Sequence, residues 1–484
     1  SNSKGPKGKA VTDVKAPAMG RAPAKGRSVT SQVSLFERVP DWARLSWPDI
    51  AAILSGVVSS LSKLMGGGIV AFYAGCQLGG VTVAITFALS FVLTYFVGKI
   101  CFREGLPNNV VSRYYIFGKN GSAVGSLIWI FVLVGVLAVG TVQLGNAILF
   151  AFGWEGDFAR WALFIGISCV WVLMALFGTK VIARMNAVFV VALFCVMGYV
   201  IYLIAADGQL VDAATHGIMI PGVEPLEGFA YSVNYAIMTS GLLALFAADF
   251  TRFAKKERDI VPISLTGTIF AIVTYIFGAL IVYYGFEQSF AYFSAQGMDA
   301  TLAANAAVTN PGVSLVLASG GIGLAIICLS QMKVETSNSI GGANAVSNLF
   351  DSLFGRKLAW PVAVIIANAI GLAFILGNIL DQVNSFMGIG SILTMSWCFL
   401  LITDYYIVRG KMGIGAQGID LGAREHTVNW RGVGTLVAVS AVASVLYATN
   451  ILQIPFLLVA PASMAIYILV SWLLRDKVRS GKVA

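Results

Sequence analysis

Charge is what this sequence has least of. Lys, Arg, Asp and Glu make up 11% of its 484 residues, where a soluble domain carries about 25%. With 58% hydrophobic residues and a mean hydropathy of +0.83, a soluble globular chain is excluded. Histidine is almost missing: His216 and His426 both fall in predicted loops, so no His-based metal site is visible. The six cysteines, Cys76, Cys101, Cys169, Cys195, Cys328 and Cys398, are scattered through or beside apolar stretches without paired spacing. They read as small packing residues. There is no HExxH and no nucleophile–base set, so enzymatic function has no support. Residues 1–47 are polar and basic, unlike a cleavable signal peptide.

Long apolar stretches fill the rest. A bilayer core takes roughly 20 apolar residues per helix, and such stretches recur along the chain. The net charge of +9 is not the mark of a nucleic-acid partner, because its distribution alternates. Lys and Arg cluster in the amino-terminal tail from Lys4 to Arg44, at Lys99 to Lys119, at Lys180 and Arg184, at Arg252 to Arg258, at Arg356 and Lys357, at Arg409 to Arg431, and at Arg475 to Lys482. The connections 207–227 and 287–309 hold acids and no Lys or Arg. This positive-inside alternation predicts about twelve spans with both termini in the cytoplasm. The chain reads as a multi-pass, all-α protein of the cytoplasmic membrane, with lipid as its surroundings and a small molecule as its partner.

The first span is expected over about 50–80 and contains Lys63-Leu64-Met65-Gly66-Gly67-Gly68. Consecutive glycines weaken a helix by roughly 1 kcal/mol each, so a break is predicted there, with Lys63 near the midplane; close helix packing is the alternative. The second span follows over 81–101. Spans three to five are predicted near 123–150, 160–177 and 185–205. Span six, near 228–251, carries Met238-Thr239-Ser240-Gly241 and Asp249 and reads as a second gapped helix. Span seven covers about 260–286, and the last four spans lie near 358–376, 378–401, 432–449 and 453–474. Gapped helices in matching positions of two halves point to an inverted-repeat transporter with a midplane binding site.

The stretch 321–348 carries the strongest functional signal. An apolar helix pattern there runs into Gln331, Lys333, Glu335, Thr336, Ser337 and Asn338. A charge at this depth costs roughly 2.5–3.5 kcal/mol on insertion scales and marks a pathway or ion site. Gln331 and Glu335, four apart, share a helix face, whereas Lys333 lies about 200° round from each.

Several segments resemble the nucleobase–cation symporter-1 family, in particular its bacterial cytosine permease branch. They are the connection 105–122, Ala248-Asp249-Phe250-Thr251-Arg252-Phe253 (ADFxRF), the polar run 336–344, and Asp404-Tyr405-Tyr406 followed by Val428-Asn429-Trp430. The resemblance implies a LeuT-type fold: a 5+5 inverted repeat plus two carboxy-terminal helices, working by alternating access. The division is then a disordered tail 1–47, repeats 48–205 and 206–403, two further spans over 404–474 and a tail 475–484. It also implies a substrate site at Gln331, Thr239, Ser240, Gly241, Gly66 and Val136, where the family's stacking aromatics at Ser240 and Val136 are gone.

Where the resemblance implies sodium-binding hydroxyls, this chain has Val334 and Glu335, beside Lys63. A Lys63–Glu335 pair replacing sodium is therefore expected, with Lys333 as a further member of the coupling site, no cofactor, and a proton or sodium as coupling ion. Asp249, next to Arg252, is assigned to gating or a helix-end ion pair, and Asp381 to a solvated outer end. The leading expectation is a nucleobase transporter. The alternatives are a same-fold carrier of an amino acid, small cation or ring carboxylate, and a channel or non-transporting nutrient sensor.

Overall fold

The computed structural model describes residue 33 and residues 37–58, 60–356, 358–422 and 426–479. Most of the expected tail 1–47, Lys357 and the end of the tail 475–484 lie outside the described residues, as do the side chains of Lys180 and Arg184. Among the described residues the regular elements are helices, and one isolated bridge joins Leu45 to Ala254.

Span 1 comprises Trp47–Val58 and residues 61–74, with Ser60 in extended geometry between the two pieces. The first piece is 12 residues long, about 18 Å at 1.5 Å per residue, so the interruption falls near mid-bilayer. The expected break is thus real but lies upstream of Lys63. The glycines are helical, and they serve the alternative, close packing. A Cβ on Gly67 would stand 1.8 Å from the Tyr275 carbonyl oxygen, and one on Gly278 would stand 1.9 Å from that of Leu64. Spans 1 and 7 therefore touch backbone to backbone, as small residues permit inside a membrane.

The chain turns at Gly75, whose φ of 73° favours a residue without Cβ, and span 2 runs from there to Glu104. It starts earlier than the expected position 81. Spans 3 and 4 are Ser122–Phe152 and Asp157–Phe177, and span 5 is Thr179–Ala206. Span 6 is Pro225–Thr251 and is continuous, which corrects the expectation of a second gap. Its hydroxyls are satisfied within the helix: Thr239 donates to the Tyr235 carbonyl and Ser240 to that of Ala236. Span 7 is Ile260–Ala295. After a short outer helix, Ala300–Thr309, the 44-residue helix Pro311–Phe354 bends at Gly320 (φ 57°), and span 8 begins there. Spans 9 to 12 are Trp360–Leu376, Val383–Lys411, Trp430–Ala448 and Phe456–Leu473. Among the described residues nine helices are long and apolar enough to cross a membrane, with shorter apolar helices at Val190–Ala206, Ala300–Thr309 and Trp360–Leu376.

Packing sorts the spans into two groups. Spans 1, 2, 6 and 7 form one bundle, in which the stretch Leu61–Glu104, the second piece of span 1 together with span 2, lies along spans 6 and 7. Spans 3, 4, 8 and 9 form a second, and span 10 lies along span 6, carrying spans 11 and 12. Spans 1 and 6, 2 and 7, 3 and 8, and 4 and 9, each five apart in chain order, fall in the same group. Hydroxyls tie span 2 to span 6 at Thr82–Ser232 (2.8 Å) and Ser90–Ser240 (2.9 Å), and Thr251 donates to the Gly98 carbonyl (3.0 Å). Large apolar side chains such as Ile165, Leu173, Ile276 and Val445 point outwards and are exposed, as a lipid-facing surface requires.

The motifs behind the resemblance knit the basic face together. Asp404 accepts from Arg409 (2.6 Å) and Tyr467 (2.7 Å). Asn429 donates to the Tyr115 carbonyl, and the Tyr115 hydroxyl donates to Glu104 (2.5 Å). The other Glu104 oxygen accepts from the Ile419 amide (2.9 Å).

The glycine contacts yield a direct test. Gly67→Ala should destabilise the detergent-solubilised protein by about 1–3 kcal/mol, read as a lowered Tm. Gly80→Ala, where a Cβ meets nothing within 4 Å, should leave Tm unchanged or raise it.

Candidate functional site

The interruption of span 1 creates a chemical demand. The helix that restarts at Leu61 exposes amide groups where no water replaces their missing partners. Ser60 meets part of it, accepting from the Lys63 amide through its hydroxyl (3.3 Å) and its carbonyl (3.1 Å). Gln331 of span 8 meets another part: its Oε1 accepts from the Leu61 amide at 3.2 Å. The same side chain donates through Nε2 to the Gly140 carbonyl of span 3 (3.3 Å) and to Glu335 Oε1 (3.1 Å). Asn338 donates to Glu335 Oε2 at 3.0 Å. Gln331 and Glu335 are both fully buried. A Cβ on Gly140 would stand 1.9 Å from Glu335 Oε1, so any larger residue there would have to displace the Glu335 and Gln331 side-chain ends.

A cavity opens beside this junction. Its walls come from span 1 (Ser60, Ser62, Lys63), span 3 (Leu133, Val136), span 6 (Tyr235, Met238, Thr239, Leu242, Leu243, Phe246), span 8 (Val334, Asn338) and span 10 (Met387). Its volume, ≈ 60 Å³, is far below the roughly 300–1,000 Å³ of a small-molecule pocket, so it is nearly closed. The Tyr235 hydroxyl donates to the Ser62 carbonyl and a hydrogen bond of 2.6 Å links Thr239 to Tyr275, which fixes the cavity wall between spans 1, 6 and 7.

The structure sorts the expected site residues into three sets. Val136, Thr239 and Lys63 line the cavity, and Val334 lies there as well. Gln331 and Glu335 share a face as expected, but that face looks toward Gly140 and the start of the span 1 helix. The cavity stripe on span 8 is Val334 and Asn338, roughly 60° round the helix from it. Gly66 packs on Tyr235 and Tyr275, Gly241 on Thr394 and Met395, and Ser240 faces Ser90 of span 2; these three do not line the cavity.

The expected Lys63–Glu335 pair is not formed: among the described residues no ion pair reaches Lys63, and the Glu335 carboxyl is held by two amides. Lys333 is half-buried and does not line the cavity. Asp249 accepts from the Asn108 amide (2.8 Å), starting the short helix Asn108–Ser112 on the basic face, so a backbone cap replaces the expected ion pair with Arg252. Asp381 is exposed at the outer end, as expected. Among the described residues no group of three or more His, Cys, Asp or Glu is placed to hold a metal ion.

Sequence reasoning passed over Ser60 and Ser62, and named Asn338 in the polar run 331–338 without placing it in the substrate site. Asn338 stands four residues after Val334, and that spacing is the signal that could have found it.

Gln331→Leu removes the partner of Leu61, Gly140 and Glu335 at once. The expected result is a loss of about 1–3 kcal/mol in stability, seen as a lowered Tm in detergent. A direct substrate ligand would instead leave the ligand-free Tm unchanged.

No protein-family model and no curated protein matches this chain. Solved structures do. The inward-facing conformation of Mhp1 aligns with a TM-score of 0.64 at 16% identity, covering 92% of this chain and 96% of that one. Mhp1, a nucleobase-cation-symport-1 family transporter, in a closed conformation with bromovinylhydantoin bound aligns at 0.62 and 16%, over 90% and 94%. A manganese transporter of Eremococcus coleocola aligns at 0.52 and 13%, over 93% and 99%. At these identities the likeness is one of architecture: the chain has the all-helical, multi-pass LeuT-type fold shared with Mhp1.

Proposed function

We propose that this chain is a secondary active transporter that imports a small nitrogenous ring compound by alternating access. The observation that carries this reading is the cavity at the interruption of span 1, walled by both helix groups and by span 10. A site between two bodies can be opened to either side when they rock against each other. The ring-compound class is supported by the sequence resemblance and by the bromovinylhydantoin bound to the similarly folded Mhp1. By the positive-inside rule, the basic face with both termini is cytoplasmic.

The coupling ion in this reading is a proton, and transport is independent of sodium. Val334 offers no oxygen ligand where the resemblance implies a hydroxyl. Glu335, buried next to the restarted helix and held by Gln331 and Asn338, is the carboxyl we assign to proton transfer, without help from Lys63.

The experiment is uptake into proteoliposomes of cytosine, uracil, purines, hydantoins, allantoin and ring carboxylates. At least one should accumulate against its gradient when the outside is acidified, equally well in sodium and in potassium. Glu335→Gln should flatten the pH dependence while leaving equilibrium exchange intact. Uptake that requires sodium, or a Glu335→Gln protein with the wild-type pH profile, overturns the coupling assignment. Downhill flux without counterflow overturns the transporter in favour of a channel.

A further inference from the structure

We propose that the substrate of the central cavity is a small organic anion, a compact ring or apolar body carrying a carboxylate that Lys63 neutralises. The inference rests on the transporter reading above and names the charge of its substrate.

Lys63 is the one charged residue among those lining the cavity. An ammonium in a membrane interior is retained where it finds a counter-charge or a water-filled path. Among the described residues no carboxylate lies within ion-pair distance of it, and its expected partner, Glu335, is bonded instead to Gln331 and Asn338. The counter-charge is therefore missing from the protein's own described side chains.

Two hydroxyls beside Lys63 are able to donate. Ser60 spends its oxygen accepting from the Lys63 amide, which leaves its own O–H to donate. Ser62, 7% exposed, has a hydroxyl with no hydrogen-bond partner. Both sit at the start of the restarted helix, where the aligned peptide dipoles favour negative charge. An ammonium, two serine hydroxyls and a helix start, all within residues 60–63, make a receptor for an acceptor-rich, negatively charged head.

The rest of the wall is apolar. Leu133, Val136, Met238, Leu242, Phe246 and Met387 offer aliphatic and aromatic surface and no charge. That surface suits a ring or short hydrocarbon body, with Thr239 and Asn338 as its polar contacts.

The test is binding by titration calorimetry to the full chain in lipid nanodiscs, using matched pairs. The probes are uracil-6-carboxylate against uracil and nicotinate against nicotinamide. Wild type should bind the carboxylate of at least one pair roughly tenfold or more tightly than its uncharged partner, as expected for one charge-assisted contact. Lys63→Gln should erase or reverse that preference, and Lys63→Arg should keep it. The preference in wild type is informative even if a variant fails to fold.

Uncharged rings binding wild type as well as their carboxylates would overturn the anion assignment and leave the transporter standing. Chloride competing as tightly as the carboxylates would assign Lys63 to a halide and overturn it too. Failure of every probe to bind, together with no uptake in proteoliposomes, would overturn both readings.

Discussion

A helix that stops and restarts in the middle of a bilayer must find partners for its free amides inside the protein. This constraint organises the centre of the molecule. Span 1 breaks at Ser60, and the restarted helix is met by its own cap residue and by Gln331, which lies 270 residues further along the chain. Gln331 holds Glu335 as well, and Glu335 in turn lies against the glycine at position 140. One unsatisfied backbone position thus determines which residues of spans 3 and 8 can stand opposite it. The cavity is the space left on the other side of the same junction.

Around that centre, close approach does the work that hydrophobic collapse does in water. Lipid is as apolar as leucine, so burial alone gives helices little reason to associate. Here the tight contacts are made by Gly67 and Gly278, whose helices meet main chain to main chain, and by the serine and threonine ties between spans 2 and 6. The small residues of span 1 hold the restarted helix against span 7. They leave Lys63, on another side of the same turn, facing open space.

Much of the architecture was legible in the sequence, because hydropathy and the alternation of basic and acidic connections report directly on bilayer crossing. The stretch beginning at Gly321 was recognisable for the same reason, and its first residue follows the bend at Gly320. The break in span 1 was placed wrongly. Glycine-66 to glycine-68 lower helix propensity, but their packing partners are 200 residues away and leave no local trace. Span 6 looked gapped because Thr239, Ser240 and Gly241 are poor helix formers, yet two of them bond to carbonyls of the preceding turn. The Lys63–Glu335 pair failed for a geometric reason. Positions 331 and 335 share one stripe of span 8 while 334 and 338 form the stripe that Lys63 faces, and sequence spacing alone does not say which stripe looks inward.

The bond between the Leu61 amide and Gln331 also has a dynamic meaning. It joins span 1, in one helix group, to span 8, in the other, and both partners are uncharged. Such a bond contributes only about 0.5–1.5 kcal/mol net, or roughly one to three times the thermal energy. Taken by itself this bond is a weak latch, and it adds little to the packing that holds the two groups together. In the proposed transport cycle such a bond is one the two groups could break and remake as the cavity changes the side it faces.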